Sequence, residues 1–203
     1  MDAFLTGVVA GYGIAIPVGA IAILIMEVGI RRGFRPAFFA GAGAATADLL
    51  YASLAVLGGA ALAGATASVG APLRTVSGLV LAVIAVIGLR RALAGIEPPP
   101  GRQHGGADLA RTYGRFVGLT VINPATVVYF AAVIIGLGIA EGMTAGDAAL
   151  FVIGAFLASL SWQTLVAAAG ALAGRRLRPA WRTGVSVAGN LLILGFGLFI
   201  LFR

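Results

Sequence analysis

The chain has 203 residues, of which 60% are apolar and only 10% charged, with a formal net charge of +7 and no cysteine. A soluble domain carries about 25% charged residues, so a surface in water is excluded for most of this chain. The missing cysteine excludes a disulfide framework, a thiolate metal site and a membrane thiol–disulfide carrier. The positive charge does not point to nucleic acid: every basic residue is Arg, and the arginines cluster between apolar runs, where anionic lipid and the insertion machinery meet them.

In lipid the backbone must satisfy its polar groups within an element, which leaves helices or closed barrels. The apolar runs are long and do not alternate as barrel strands do, so they read as helices. The first span runs from Phe4 to Val28; no basic residue precedes Arg31, so it lacks the basic start of a signal peptide and reads as a permanent span. The second runs from Pro36 to Leu62 and carries Asp48, and the third from Thr75 to Leu93. Glu97 to Thr112 is the one polar stretch; its run Pro98 to Gly101 and the pair Gly105 and Gly106 mark a loop. The fourth span runs from Tyr113 to Ile139, the fifth from Ala148 to Ala173 and the sixth from Thr183 to Phe202. Arginines gather in the loops after spans one, three and five, whereas those after spans two and four hold only Arg74. Cytoplasmic loops collect Arg, so both termini are expected outside a bacterial-type cytoplasmic membrane.

The two halves echo each other. Gly11 stands six residues before Pro17 and Gly118 six before Pro124; Gly29 and Gly136 follow those prolines at equal distance, and the next spans open on Gly41-Ala42 and Gly154-Ala155. Three spans per unit means that the second copy is inserted upside down, a recurrent transporter design. The expected fold is therefore all-α, a polytopic membrane protein of six transmembrane helices in two inverted three-helix repeats. Residues 1–95 form the first repeat, 96–112 a cytoplasmic linker loop and 113–203 the second repeat.

Several residues stand out against this background. Pro17 and Pro124 lack an N–H, so the carbonyls of Gly13 and Thr120, four residues earlier, lose their helical partner. Freed carbonyls at membrane depth face protein, water or substrate, which makes both spans candidates for broken helices; Gly19 lies just past the first break, and Asn123 adds a donor and an acceptor at the second. Asp48 lies well inside the second span with no basic residue within a turn, at an insertion cost of about 2.5–3.5 kcal/mol. A helix carries such a group when it is neutral, paired or hydrated, which suits a carboxyl that binds and releases a proton. Gly41, Ala44, Ala45, Ala52 and Ala55 share its side and allow another helix close approach. The fifth span offers Ser159, Ser161, Trp162, Gln163 and Thr164, with Ser161 at the repeat position of Asp48. Tyr51, Ser77 and Asn190 are weaker candidates. Glu27 reads as an i,i+4 partner of Arg31, and His104 as a solvated loop residue.

The run Ile16 to Ile25 (IPVGAIAILI), then Gly29 to Gly33 (GIRRG), then Gly41 to Tyr51 (GAGAATADLLY) resembles the first half of the LysE-type translocators, the lysine exporter and threonine/homoserine efflux family. Phe116, Val117 and Gly118, Asn123 and Pro124, and Ser161 with Trp162 resemble the second half. The resemblance covers nearly the whole chain and implies six spans and export of amino acids or related metabolites on the proton or ion gradient. By position Pro17, Asp48, Asn123 and Pro124 match its recurring motif. Many members carry Pro-Gly-Pro where this chain has Pro17, Val18, Gly19 and Ala20, and substrates vary across the family, so none is named.

The expectation is a secondary exporter of a small solute, an amino acid first of all, with membrane lipid as its other partner and no cofactor or metal. Its substrate and proton pathway would comprise Asp48, Pro17, Gly13, Gly19, Tyr51, Asn123, Pro124, Ser161 and Gln163. A metal-cation carrier is disfavoured by the lack of His and Cys inside the spans. A zinc protease needs a His-Glu-x-x-His helix that the single His forbids, a paired-aspartate site lacks its second Asp, and no base flanks Ser53, Ser159 or Ser161. A non-transporting membrane scaffold stays open, and the small-residue faces leave a homo-oligomer open.

Overall fold

The computed structural model describes residues 2–16, 19–94, 105–123, 126, 129, 143–176 and 179–202, with side chains throughout except at 58–74, 77 and 179–182. Every element within them is a helix. The first expected span is divided in two, α1 (Ala3–Ala15) and α2 (Ala20–Arg32), whose axes lie 77° apart. Asp2 caps α1, its carboxylate accepting from the Phe4 N–H at 3.0 Å. Pro17 and Val18 lie outside the described residues; α1 ends at Ala15, and Ile16 after it keeps helical angles, with its N–H donating to the Tyr12 carbonyl at 2.9 Å.

Arg31 and Arg32 sit in the last turn of α2, where cations complement the helix dipole. Gly33 follows with φ +86°, the left-handed region open to glycine, and the chain turns straight into α3 (Phe34–Leu93). Pro36 is buried in the first turn of α3, where its missing N–H costs nothing. Residues 34–57 and 75–93 of α3 run in opposite directions. Arg91, near the end of the second stretch, lines the same cavity as Arg32, just before the first. They correspond to the second and third expected spans.

The remaining helices are α4 (Gly106–Val121), α5 (Ala145–Arg176) and α6 (Pro179–Phe202). The polar stretch expected to be loop as far as Thr112 turns helical at Gly106. The cause is a one-sided helix: Leu109, Thr112 and Phe116 are buried along one face, while Asp108 pairs with Arg32. Beyond Asn123 only Thr126 and Tyr129 of the fourth expected span are described, and His104 lies outside the described residues. Among the described residues, Phe34–Leu57, Ala145–Arg176 and Thr183–Phe202 are long and apolar enough to cross a membrane, and α1 with α2 adds a fourth if the pair is one broken span.

The pairings fix relative directions. Gly7 meets Phe151 and Gly11 meets Ala155, so α1 runs parallel to α5; Gly43 meets Tyr113 and Tyr51 meets Val121, so residues 34–57 run parallel to α4. Gly41 meets Gln163 while Asp48 meets Ser159, which makes 34–57 antiparallel to α5; Gly78 meets Gly197 and Gly88 meets Asn190, which makes 75–93 antiparallel to α6. Ile25, Ala44, Phe116, Ala167 and Ile193 share the main core. Large apolar side chains such as Val9, Leu57, Leu165 and Phe199 point outward on every side, as they do when the solvent is lipid rather than water.

A seam of small residues joins α1 and α2 to α5. A Cβ on Gly11 would stand 2.8 Å from the Ala155 Cα, one on Gly29 2.8 Å from the Ala171 nitrogen, and one on Gly170 3.0 Å from the Met26 Cα. Close backbone approach of this kind replaces the hydrophobic effect as the source of helix association in lipid. Gly170→Leu is expected to destabilise the protein by about 1–3 kcal/mol through overpacking, read as a lower melting temperature in detergent. A wild-type melting curve would contradict the seam.

Candidate functional site

Asp48 is set by the small residues around it. Ala44, Ala45, Ala52 and Ala55 are buried, as their spacing requires, and a Cβ on Gly41 would lie 3.0 Å from that of Gln163. The two helices therefore cross tightly and bring Ser159 of α5 against the carboxyl. The Ser159 hydroxyl donates to Asp48 Oδ2 at 2.6 Å, with both residues buried. No salt bridge reaches Asp48 among the described residues.

Asp48 opens onto a cavity of about 80 Å³. One water needs about 10–15 Å³ of such space, so several waters or one small solute fit. The cavity lies between two helix ends: Ile14, Ala15 and Gly19 border the gap between α1 and α2, and Thr120 and Asn123 lie at the end of α4, with Thr126, Tyr129 and Gln163 beside them. Thr120 Oγ1 and Gln163 Oε1 are buried and have no hydrogen-bond partner among the described residues. Buried polar atoms are normally satisfied, so these two oxygens are exceptions among residues that line the cavity.

The expected site residues divide as follows. Asp48, Gly19, Asn123 and Gln163 line the cavity. Tyr51 stands one turn from Asp48 and donates its hydroxyl to the Val121 carbonyl at 2.6 Å, tying α3 to the end of α4. Gly13 is exposed, and its neighbours Ile14 and Ala15 line the cavity instead. Pro17 and Pro124 lie outside the described residues. The Thr120 carbonyl, expected to be freed by Pro124, accepts from the Asn123 N–H at 3.1 Å in a tight turn. Ser161 does not face Asp48: it donates to the Ala158 carbonyl at 2.8 Å and accepts from Tyr12, also at 2.8 Å. The partner is Ser159, two residues away. Ser159→Ala is expected to cost about 1–3 kcal/mol as the carboxyl loses its donor, and the exposed Ser161→Ala much less; equal losses in thermal unfolding would contradict this assignment.

A second polar cluster was legible only in part. Glu27 accepts from Arg31 at 3.0 Å, as the sequence implied, and the same carboxylate oxygen also accepts from Ser186 and from Asn190, each at 2.8 Å. Asn190, a polar residue inside an apolar span, was the available signal; its long-range partner on α2 was not.

Residues 13–203 match the family model of the LysE type translocator. The chain belongs to this family. A relative from Pseudomonas aeruginosa, the chemotactic transduction protein ChpE, is 31% identical to this LysE-type translocator over 195 residues, covering 95% of this chain and 94% of the relative. No solved structure matches it. The family is one of membrane translocators, and with the apolar helices its match points to a multi-pass protein of the bacterial inner membrane.

Proposed function

We propose that this protein is a secondary transporter that exports an amino acid or a related small metabolite from the cytoplasm, coupled to the gradient of protons or another ion. One observation carries the proposal. A buried carboxyl with no counter-ion among the described residues lines a cavity together with Thr120, Asn123 and Gln163, beside the gap between α1 and α2 and the end of α4. Ionisable groups at membrane depth are costly and mark solute or proton paths, and interrupted helices supply the midplane sites of inverted-repeat carriers. Asp48 carries the coupling proton, while Thr120, Asn123 and Gln163 hold the solute's polar groups.

The architecture we propose is six spans in two inverted repeats, 1–95 and 113–203, joined by a cytoplasmic segment at 96–112. The helix pairings support it. Exchanging the halves turns the parallel pair α1 and α5 into the parallel pair of α4 with 34–57. The same exchange maps the antiparallel pairs, 34–57 with α5 and 75–93 with α6, onto themselves. Arg31, Arg32, Arg91 and Arg115 border one cavity at one end; that end is the cytoplasmic one, and both termini are outside.

The test is reconstitution in liposomes under an imposed pH gradient, with a panel of labelled amino acids and counterflow. Saturable, gradient-dependent movement of one or a few amino acids is the expected result. A second reading, a non-transporting membrane component of signalling, draws on the name of the Pseudomonas relative. Correctly inserted protein that moves no solute and binds a signalling protein would favour it.

A further inference from the structure

The last turn of α2 is fastened on two sides by adjacent arginines, and the two fastenings differ in strength. Arg31 joins Glu27, Ser186 and Asn190 in a largely buried cluster that ties α2 to α6. Arg32 reaches the other way. It pairs with Asp108 and donates to the Thr112 hydroxyl at 3.2 Å, which ties α2 to α4. The side chains of Arg32 and Asp108 are 25% and 41% exposed, more than those of the Glu27 pair. Water and salt screen an exposed pair, so it contributes little and breaks readily, whereas a buried one holds. Of the two joints, the one between α2 and α4 is therefore the one built to open.

That joint borders both cavities. Leu24 and Val28 of α2 and Phe116 and Leu119 of α4 line the cavity at the basic end, about 210 Å³. Ile21 and Ala22 of α2 and Thr120 of α4 line the Asp48 cavity. On each helix the two linings almost adjoin, Leu24 and Ala22 on α2, Leu119 and Thr120 on α4. Leu24, Leu119 and Asp48 are all buried, and the two cavities are separate in this structure. We propose that the Arg32–Asp108 pair is a latch on the cytoplasmic side: when it breaks, α4 parts from α2, the two cavities join, and solute from the cytoplasm gains a path to Asp48. The proposal rests on the transport reading above and on its placement of the basic end in the cytoplasm. The repeat makes the latch one-sided. Counted from Gly29 and Gly136, Arg31 and Arg32 match Gly138 and Ile139, so the second copy has no arginine with which to build an equal latch at the outer end.

The chain has no cysteine, so Ala22→Cys places a single thiol on the wall of the Asp48 cavity. The full-length variant in membrane vesicles is treated with a small, membrane-impermeant methanethiosulfonate, applied to the cytoplasmic face and, separately, to the outer face, and the rate of modification is followed. Adding Asp108→Asn is expected to raise the rate from the cytoplasmic face about two- to fivefold, the range that an exposed pair can give, and to leave or lower the rate from the outer face. Raising the ionic strength speeds modification of the Ala22→Cys parent but not of the Asp108→Asn variant, which has no pair left to screen. Reversing the pair, Arg32→Asp with Asp108→Arg, restores the parent rate. Thr112→Val, which removes another Arg32 contact, serves if Asp108→Asn does not fold, with a smaller rise in the same direction. An unchanged rate, a rise from the outer face alone, or an equal rise from both faces, which marks general loosening, overturns the latch. Amino-acid flux in liposomes separates this inference from the reading it rests on. Where flux is measured, Asp108→Asn lowers the half-saturating concentration on the cytoplasmic face by the same factor, because the loading state is more populated. An unchanged modification rate beside a measured flux overturns the latch and leaves transport intact. A rise from the cytoplasmic face with no flux of any amino acid supports the opening and overturns transport.

Discussion

Asp48→Asn is expected to reduce gradient-driven flux to the level of protein-free liposomes while the protein stays folded. The amide keeps the size of the carboxyl and an oxygen for the Ser159 hydroxyl, which donates at 2.6 Å. It cannot take up or release a proton. A carrier coupled through that proton loses its link to the gradient, because a gradient shifts only equilibria between states that bind its ion differently. Exchange of labelled for unlabelled solute, which needs no net proton movement, is expected to persist. Stability should hold or rise, since a neutral amide is less costly to bury than a charge. Full gradient-driven flux in the variant would remove Asp48 from coupling; loss of folded protein would make its role structural.

Glu27→Ala is expected to cost about 2 kcal/mol. One oxygen of this carboxylate accepts from Arg31, Ser186 and Asn190, so its loss strips Arg31 of its counter-ion and breaks the polar tie between α2 and α6. Removing one partner of a buried pair costs about 3–5 kcal/mol, and an exposed pair contributes at most about 1; with side-chain exposures of 17% for Arg31 and 15% for Glu27 this pair stands between. Glu27→Gln keeps an acceptor and should lose less. The double variant with Arg31→Met should recover part of the loss, since no unpaired charge remains. Thermal unfolding of wild type, Glu27→Ala, Arg31→Met and the double variant measures the coupling. A loss within that of an exposed pair would mean that the cluster does not fasten α6.

Asp48 was legible in the sequence because one carboxyl in a long apolar run has no bland neighbour to explain it, and the small residues on its side followed from helical spacing alone. A break in the first span was expected from Pro17, and the chain does divide there into α1 and α2, although the proline itself lies outside the described residues. Ser159 was not. Matching the repeats from Gly41 and Gly154 counts residues along the chain and reaches Ser161. Two positions on a helix are about 200° of rotation, so what faces Asp48 depends on where α3 and α5 cross. The crossing is fixed by the contact of Gly41 with Gln163, which no count along one strand of sequence reveals. Glu27 was half legible: its partner one turn away is written into the helix, whereas Ser186 and Asn190 arrive from the far end of the chain.

The seam along α5 has a mechanical consequence. Interdigitated side chains hold two helices in register, because sliding requires each knob to leave its hole. Where Gly7, Gly11, Gly29, Gly170 and Gly174 meet the neighbouring backbone there are no knobs to withdraw. Such a contact resists being pulled apart more than it resists being moved along its length. Along that line resistance to shear falls to the side chains beside the seam, Phe151 against Ala10 and Ile25 against Ala167, rather than to the close backbone contacts themselves.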